Sequence, residues 1–238
     1  MRLAVWSGPR NLSTAMMYAF AARTDCAIWD EPFYAAYLQA TGLQHPMRAE
    51  ILSAGLQDAS KVIAKCLGPT PHGKSVFYQK HMTQHMIPGF DRSWIADCTN
   101  VFLIRHPARV VASYAAKREN PTLDDIGFRQ QAELFDLVCQ QLGTPPPVLD
   151  SFDIRMDPET QLRKLCLRIN LPFQPEMLHW QQGGHPDDGA WAAHWYGAVR
   201  QSTGFAAPEP DLPQVDDHLR PVLEQALSYY EKMRKFRL

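Results

Sequence analysis

The chain has 238 residues, a formal net charge of −1 and 45% hydrophobic residues. Its length and apolar content suit one globular domain with a substantial core, and the near-neutral balance excludes a global attraction to nucleic acid or to an anionic membrane. The five cysteines are widely spaced with no C-x-x-C pair, which fits reduced thiols better than a disulfide framework.

No apolar run approaches the ~20 residues of a membrane span, and no leader-like segment opens the chain. The sequence therefore reads as a soluble, cytoplasmic protein. Short apolar runs alternate with helical patterns, the mark of an α/β domain. The expected architecture is a three-layer sandwich with a central, mostly parallel sheet. A P-loop-like strand–loop–helix stands at its N-terminus, all within a single domain of residues 1–238.

The first predicted strand is "LAVWS", followed by a loop and a helix carrying Leu12, Ala15, Met16, Ala19 and Phe20 on one face. "CAIWDEPF" is the second strand and ends in two acids and a proline. A helix and a loop are expected over about 41–74, then strands at "SVFYQKH" and "NVFLIRH". Pro107 opens the next helix, a position where its missing N–H has no partner to lose. Helices are predicted over 128–142 and at "ETQLRKLCLRIN", with a short strand at "TPPPVLDSFD" between them. The stretch near 180–213 is rich in Gly, Pro and Trp and reads as an irregular, lid-like segment; "PVLEQALSYYEKMRKF" closes the chain as a helix.

Two stretches carry chemistry. In "SGPRNLST", residues 7–14, Gly8 and Pro9 make a turn, Arg10 supplies a fixed charge, and Asn11, Ser13 and Thr14 supply donors. A loop between strand and helix aims N–H groups at an anion over the helix N-terminus. The nucleotide-hydrolase pattern G-x-x-x-x-G-K-[ST] needs glycine at Ser13 and lysine at Thr14, and neither is present. The plainer alternative is a structural turn in which Asn11 or Ser13 caps the helix. In "FLIRHPARVVASY" the strand ends in Arg105, where a Mg-dependent hydrolase carries an aspartate, and Ser113 follows eight residues later. Arginine at the carboxyl edge of a parallel sheet suits an anion. The alternative is a surface arginine and a helix-packing serine.

Together these motifs resemble the sulfotransferase superfamily, whose donor is 3′-phosphoadenosine 5′-phosphosulfate. "PRNLST" is similar to the family's P-[KR]-x-G-x-T-like loop, with Arg10 at the basic position, Ser13 and Thr14 at the hydroxyl positions and Leu12 at the family glycine. Arg105 and Ser113 match its 3′-phosphate motif in identity and spacing, and "YYEKMRKFRL" resembles the terminal helix of many members. The likeness runs through most of 3–118 and the C-terminal end. It implies that Ser7, Gly8, Pro9, Arg10, Asn11, Leu12, Ser13, Thr14, Arg105 and Ser113 hold the donor, with no metal required. Arg10 would neutralise charge growing on the leaving 5′-phosphate. Sulfuryl transfer needs positioning and a few cationic donors, which accounts for the missing lysine and aspartate together.

Transfer to a hydroxyl or amine of a small-molecule or carbohydrate acceptor needs a base. Glu31 resembles the glutamate of carbohydrate sulfotransferases. His81, with Pro88 seven residues on, resembles the histidine of small-molecule cytosolic enzymes, and Lys80 is its neighbouring cation. Glu31 is preferred and His81 kept beside it; ordinary helix-start acids at Asp30 and Glu31 are the alternative. His81 and His85 stand at i, i+4, but no third ligand at metal-like spacing accompanies them. Arg200, Ser202 and Thr203 in the late segment are expected near the 3′-phosphate, and Trp191, Trp195 and Tyr196 beside the acceptor, although the family's R-K-G triplet is absent. Two other functions compete: a P-loop small-molecule kinase or nucleotide hydrolase, and a non-catalytic nucleotide-binding member of the fold.

Overall fold

A computed structural model describes residues 1–116 and 121–238, so the last two positions of the motif-bearing stretch 3–118 lie outside the described residues. Five strands form one sheet: β1 (Arg2–Ser7), β2 (Cys26–Asp30), β3 (Val76–Met82), β4 (Thr99–Ile104) and β5 (Val148–Asp150). All pairings are parallel, in the order β2-β3-β1-β4-β5. The strands are buried on both faces, as in a doubly covered parallel sheet. In β1, Leu3 and Val5 face one side and Ala4 and Trp6 the other.

The first half of the chain adds α1 (Ser13–Ala21), α2 (Tyr34–Thr41), α3 (Arg48–Ala54), α4 (Ala59–Cys66) and α5 (Pro107–Ala115). Next come α6 (Leu123–Ile126), α7 (Phe128–Leu142), α8 (Ser151–Met156), α9 (Pro158–Arg168), α10 (Ala192–Trp195), α11 (Gly197–Arg200) and α12 (Arg220–Arg234). Met16, Met17 and Phe20 of α1 pack with Ile154, Leu162 and Leu165 of α8 and α9 on the Val5 face. Val62, Val110, Val111, Phe135, Tyr230 and Met233, from α4, α5, α7 and α12, cover the Trp6 face. The predicted three layers are therefore present. A third, smaller cluster joins α2 and α3 to Trp191 and Tyr196.

Two stretches are more regular than expected. Residues 41–74 hold α3 and α4, the latter started by Asp58, whose carboxylate accepts from Ser60 N at 2.9 Å. The late segment contains α10 and α11, one turn each. The cysteines are free thiols, four of them buried, and no helix among the described residues is long and apolar enough to cross a membrane.

Candidate functional site

β1 runs directly into the phosphate-like loop. A Cβ on Gly8 would lie 2.6 Å from the Ile126 carbonyl oxygen, so only glycine lets the loop pass so close to α6. Arg10 (φ 65°) and Leu12 (φ 68°) both take the left-handed conformation, at about 1–2 kcal/mol each for a residue with a Cβ. The left-handed turn explains why the resembled family places glycine at the position of Leu12. Asn11 is buried, and its Nδ2 donates to Leu103 O at 3.2 Å, pinning the loop to β4. No side chain caps α1, neither Asn11 nor Ser13. Pro9 to Ala15 at that open end line a cleft of about 410 Å³.

The strand-four motif meets this loop. Arg105 Nη1 donates to Arg10 O at 2.6 Å, and Arg10 Nε donates to Ser113 Oγ at 3.0 Å. Burial, and then the neighbouring Arg105 charge, hold Arg10 below the ordinary guanidinium range. All three residues line the cleft.

A second charged cluster occupies the same cleft wall. Asp30 and Lys80 are paired in register across β2 and β3 and share a sheet face. The next residue, Glu31, would normally point away, but its φ of 39° turns it back toward the same cation. Lys80 Nζ donates to Asp30 Oδ1 at 2.9 Å, to Glu31 Oε1 at 2.6 Å and to Tyr196 OH at 2.6 Å. Tyr196 in turn donates to Asp30 at 2.8 Å and accepts from Trp191 Nε1 at 3.0 Å. Burial raises the Glu31 carboxyl above its ordinary range, with Lys80 opposing and Asp30 adding to the rise. Burial works against the Lys80 ammonium, but the two carboxylates outweigh it and hold its pKa up. Beyond Glu31 the cleft is lined by Tyr34, His45, Met82, His85 and Trp195. His85 stacks between Tyr34 (4.5 Å) and Tyr37 (4.8 Å), and burial keeps it neutral.

Several expected residues stand elsewhere. His81 is correctly on β3 but on the opposite sheet face from Lys80, stacked on Trp6 at 4.5 Å. Burial pushes its pKa down to about 3, its Nε2 meets Gln79 Oε1 at 3.2 Å, and it lines no part of the cleft. Ser7 is buried against Met82, and Gly8 is the loop's contact with α6; neither lines the cleft. In the late segment Ser202 reaches the cleft wall, whereas Arg200 Nε donates to Gly183 O at 3.1 Å and Thr203 O accepts from Trp180 N. Among the described residues no group of three or more His, Cys, Asp or Glu is arranged to hold a metal.

Sequence reasoning missed Asp30 as Lys80's partner and missed Glu209, which meets Arg105, together with Arg109 and Arg155, which meet the same carboxylate. Arg109, four residues after Arg105, was the one legible hint.

A family profile described as "Sulfotransferase domain" matches residues 1–237. Two Arabidopsis thaliana proteins, branched-chain-amino-acid aminotransferase-like proteins 2 and 1, are each 36% identical over 96% of this chain. The chain spans only 40% and 41% of their lengths, so most of each relative lies outside the match. Among solved structures, the sulfotransferase domain from the curacin biosynthetic pathway superposes with a TM-score of 0.55 at 18% identity, covering 95% of this chain and 97% of that one. The sulfotransferase domain of the Synechococcus PCC 7002 olefin synthase gives 0.54 at 17% identity, with 98% and 94% covered. A sulfotransferase from Alicyclobacillus acidocaldarius gives 0.52 at 10%, with 100% and 96% covered. At those identities the structures speak for the fold, and the profile along nearly the whole chain speaks for descent: this chain belongs to the sulfotransferase-domain family.

Proposed function

We propose that the protein transfers a sulfuryl group from 3′-phosphoadenosine 5′-phosphosulfate to a hydroxyl of a small acceptor with an apolar body. One observation carries this reading: the open phosphate loop and the Glu31–Lys80 pair line the same cleft. The uncapped start of α1, with the Arg10, Ser13 and Thr14 side chains beside it, fits a 5′-phosphosulfate. When bound, the donor supplies an activated sulfuryl group whose leaving group is a phosphate. In this reading Arg10, which lines the cleft, offsets the charge left on that phosphate, since a fixed cation needs no reorganisation.

Glu31 is the base in this reading. Among the described residues Lys80 donates to Oε1 and the Tyr196 hydroxyl oxygen lies 3.3 Å from the same atom, which leaves Oε2 for an acceptor hydroxyl. Lys80 holds that carboxylate in place, and Asp30 holds both Lys80 and Tyr196. The raised Glu31 carboxyl is a stronger base once ionised, and it favours reaction above the pH at which it loses its proton. Tyr34, Trp195, Met82 and neutral His85 offer aromatic and apolar walls, which suit an uncharged acceptor better than an anionic one.

The test is transfer of labelled sulfate from the donor to a panel of neutral hydroxylated acceptors, run beside a thermal-shift titration. Stabilisation by 3′,5′-adenosine bisphosphate without metal is expected. A response to ATP with Mg²⁺ alone would sink the reading in favour of a kinase or nucleotide hydrolase.

A further inference from the structure

Over residues 205–216 the chain follows an irregular path in which Glu209 is the one buried residue. Its side chain is 3% exposed and sits among three guanidiniums. Arg105 Nη2 donates to Glu209 Oε1, Arg155 Nη1 donates to the same oxygen at 2.6 Å, and Arg109 Nε lies 3.1 Å from Oε2. The arginines hold the flanking main chain as well: Arg155 Nε donates to Ala207 O at 2.8 Å, and Arg109 donates to Pro210 O. Leu212 of the same segment is half exposed. Residues 206–212 are thus fastened by ionic contacts and not by an apolar anchor.

The match is incomplete in charge and in geometry. Among the described residues three guanidiniums face a single carboxylate, and Oε2 accepts no well-aligned hydrogen bond despite its nearness to Arg109. Burial, only partly offset by Glu209, and repulsion from Arg105 and Arg109 hold Arg155 below the ordinary guanidinium range. A phosphate monoester carries about −1.5 to −2 charges at neutral pH and presents three acceptor oxygens, one for each guanidinium. Arg105 ties this cluster to the donor loop through Arg10 O and itself lines the cleft. Arg109 and Arg155 stand behind the segment that Glu209 holds down.

We propose that Arg105, Arg109 and Arg155 form an exchangeable anion site, in which Glu209 is the resting occupant and the 3′-phosphate monoester of a nucleotide displaces it. The segment around Glu209 then lifts as the donor enters and returns as the product leaves. The proposal rests on the donor reading above, since the incoming group is the 3′-phosphate of that donor. Arg109 and Arg155 become donor-binding residues that the family motif does not mark, and Glu209 sets the affinity by competing for them.

The test is calorimetric titration of the wild type, Glu209→Gln and Arg155→Ala with 3′,5′-adenosine bisphosphate and with adenosine 5′-monophosphate. Exchange predicts that Glu209→Gln binds the bisphosphate about tenfold tighter, because the occupied state no longer competes. Arg155→Ala should bind it about tenfold or more weakly, as expected on losing a charge-assisted contact. Neither change should move the affinity for the monophosphate. Bisphosphate affinity that is unchanged or weaker in Glu209→Gln would overturn the exchange while leaving the donor reading intact. Equal shifts for both nucleotides would overturn the assignment to the 3′-phosphate. Absence of bisphosphate binding in every protein would overturn the donor reading, and the exchange with it. Should Glu209→Gln fail to fold, wild-type protein digested briefly with thermolysin decides the matter. Faster cleavage within 205–216 on adding bisphosphate, but not monophosphate, is expected, and protection overturns the proposal.

Discussion

Two charge clusters reach one cleft, the first through Glu31 and Lys80 and the second through Arg105, and they are unbalanced in opposite directions. Asp30 and Glu31 set two carboxylates against the single ammonium of Lys80, whereas Arg105, Arg109 and Arg155 set three guanidiniums against the carboxylate of Glu209. The first cluster has a surplus of acceptors, as a site that takes up a proton needs; the second has a surplus of donors, as a site that takes up a dianion needs. Their closure differs too. Asp30, Glu31 and Lys80 are bound to adjacent strand ends and to the buried Tyr196 hydroxyl, while Glu209 comes from an irregular, mostly exposed segment. A permanent network and a removable counterion are therefore distinguishable from the elements that supply them.

The largest effect is expected where the first cluster touches chemistry. Glu31→Gln should lower kcat by about 10²–10⁴-fold, the range of general-base catalysis, and leave bisphosphate affinity unchanged in a binding titration. His81→Ala, from the other sheet face, should lower the unfolding midpoint and spare kcat; the reverse pattern would return the base to His81. Lys80→Met leaves two buried carboxylates facing each other, and should cost about 3–5 kcal/mol in denaturant unfolding, as broken buried pairs do. Arg105→Ala should weaken bisphosphate binding by about 1.5–3 kcal/mol, and a smaller loss would mean that the second cluster does not hold the donor. Tyr196→Phe removes one hydroxyl from the first cluster and should cost about 1 kcal/mol of stability.

The pH dependence of the first cluster has a definite sign. Glu31 is held above its ordinary 4.5, so the folded state keeps its proton more tightly than the unfolded chain. Its share of stability is present below 4.5 and is lost as pH rises through the raised value, while the activity it supports rises over that same interval. Wild type and Glu31→Gln compared in unfolding across that range should diverge in this direction.

What the sequence disclosed, and what it hid, follows from the range of the interactions. The phosphate loop was legible because its turn, charge and donors lie within residues 7–14, and Arg105 with Ser113 because their spacing is local. Lys80 and His81 are neighbours on a strand, and the two-residue alternation of side chains forbids both from facing one cleft. Asp30 and Glu31 defy that same alternation through a single left-handed residue, which no pattern announces. Glu209 lies 104 residues from Arg105 in a stretch with no motif, so its partner appears only when the chain is folded.

The contact between Gly8 and the Ile126 carbonyl reaches further than its position suggests. Gly127, the next residue, accepts from Thr83 Oγ1 at 3.1 Å, so this short stretch braces the loops after β1 and β3 together. One carbonyl and its neighbour thereby gauge the spacing between the strand ends that carry Arg10 and Lys80. In a saturating mutational scan Gly8 should behave as intolerantly as a ligand-binding residue, although it lines no part of the cleft. An enlarged side chain there would be felt as a misaligned donor and acceptor in a chain that still folds.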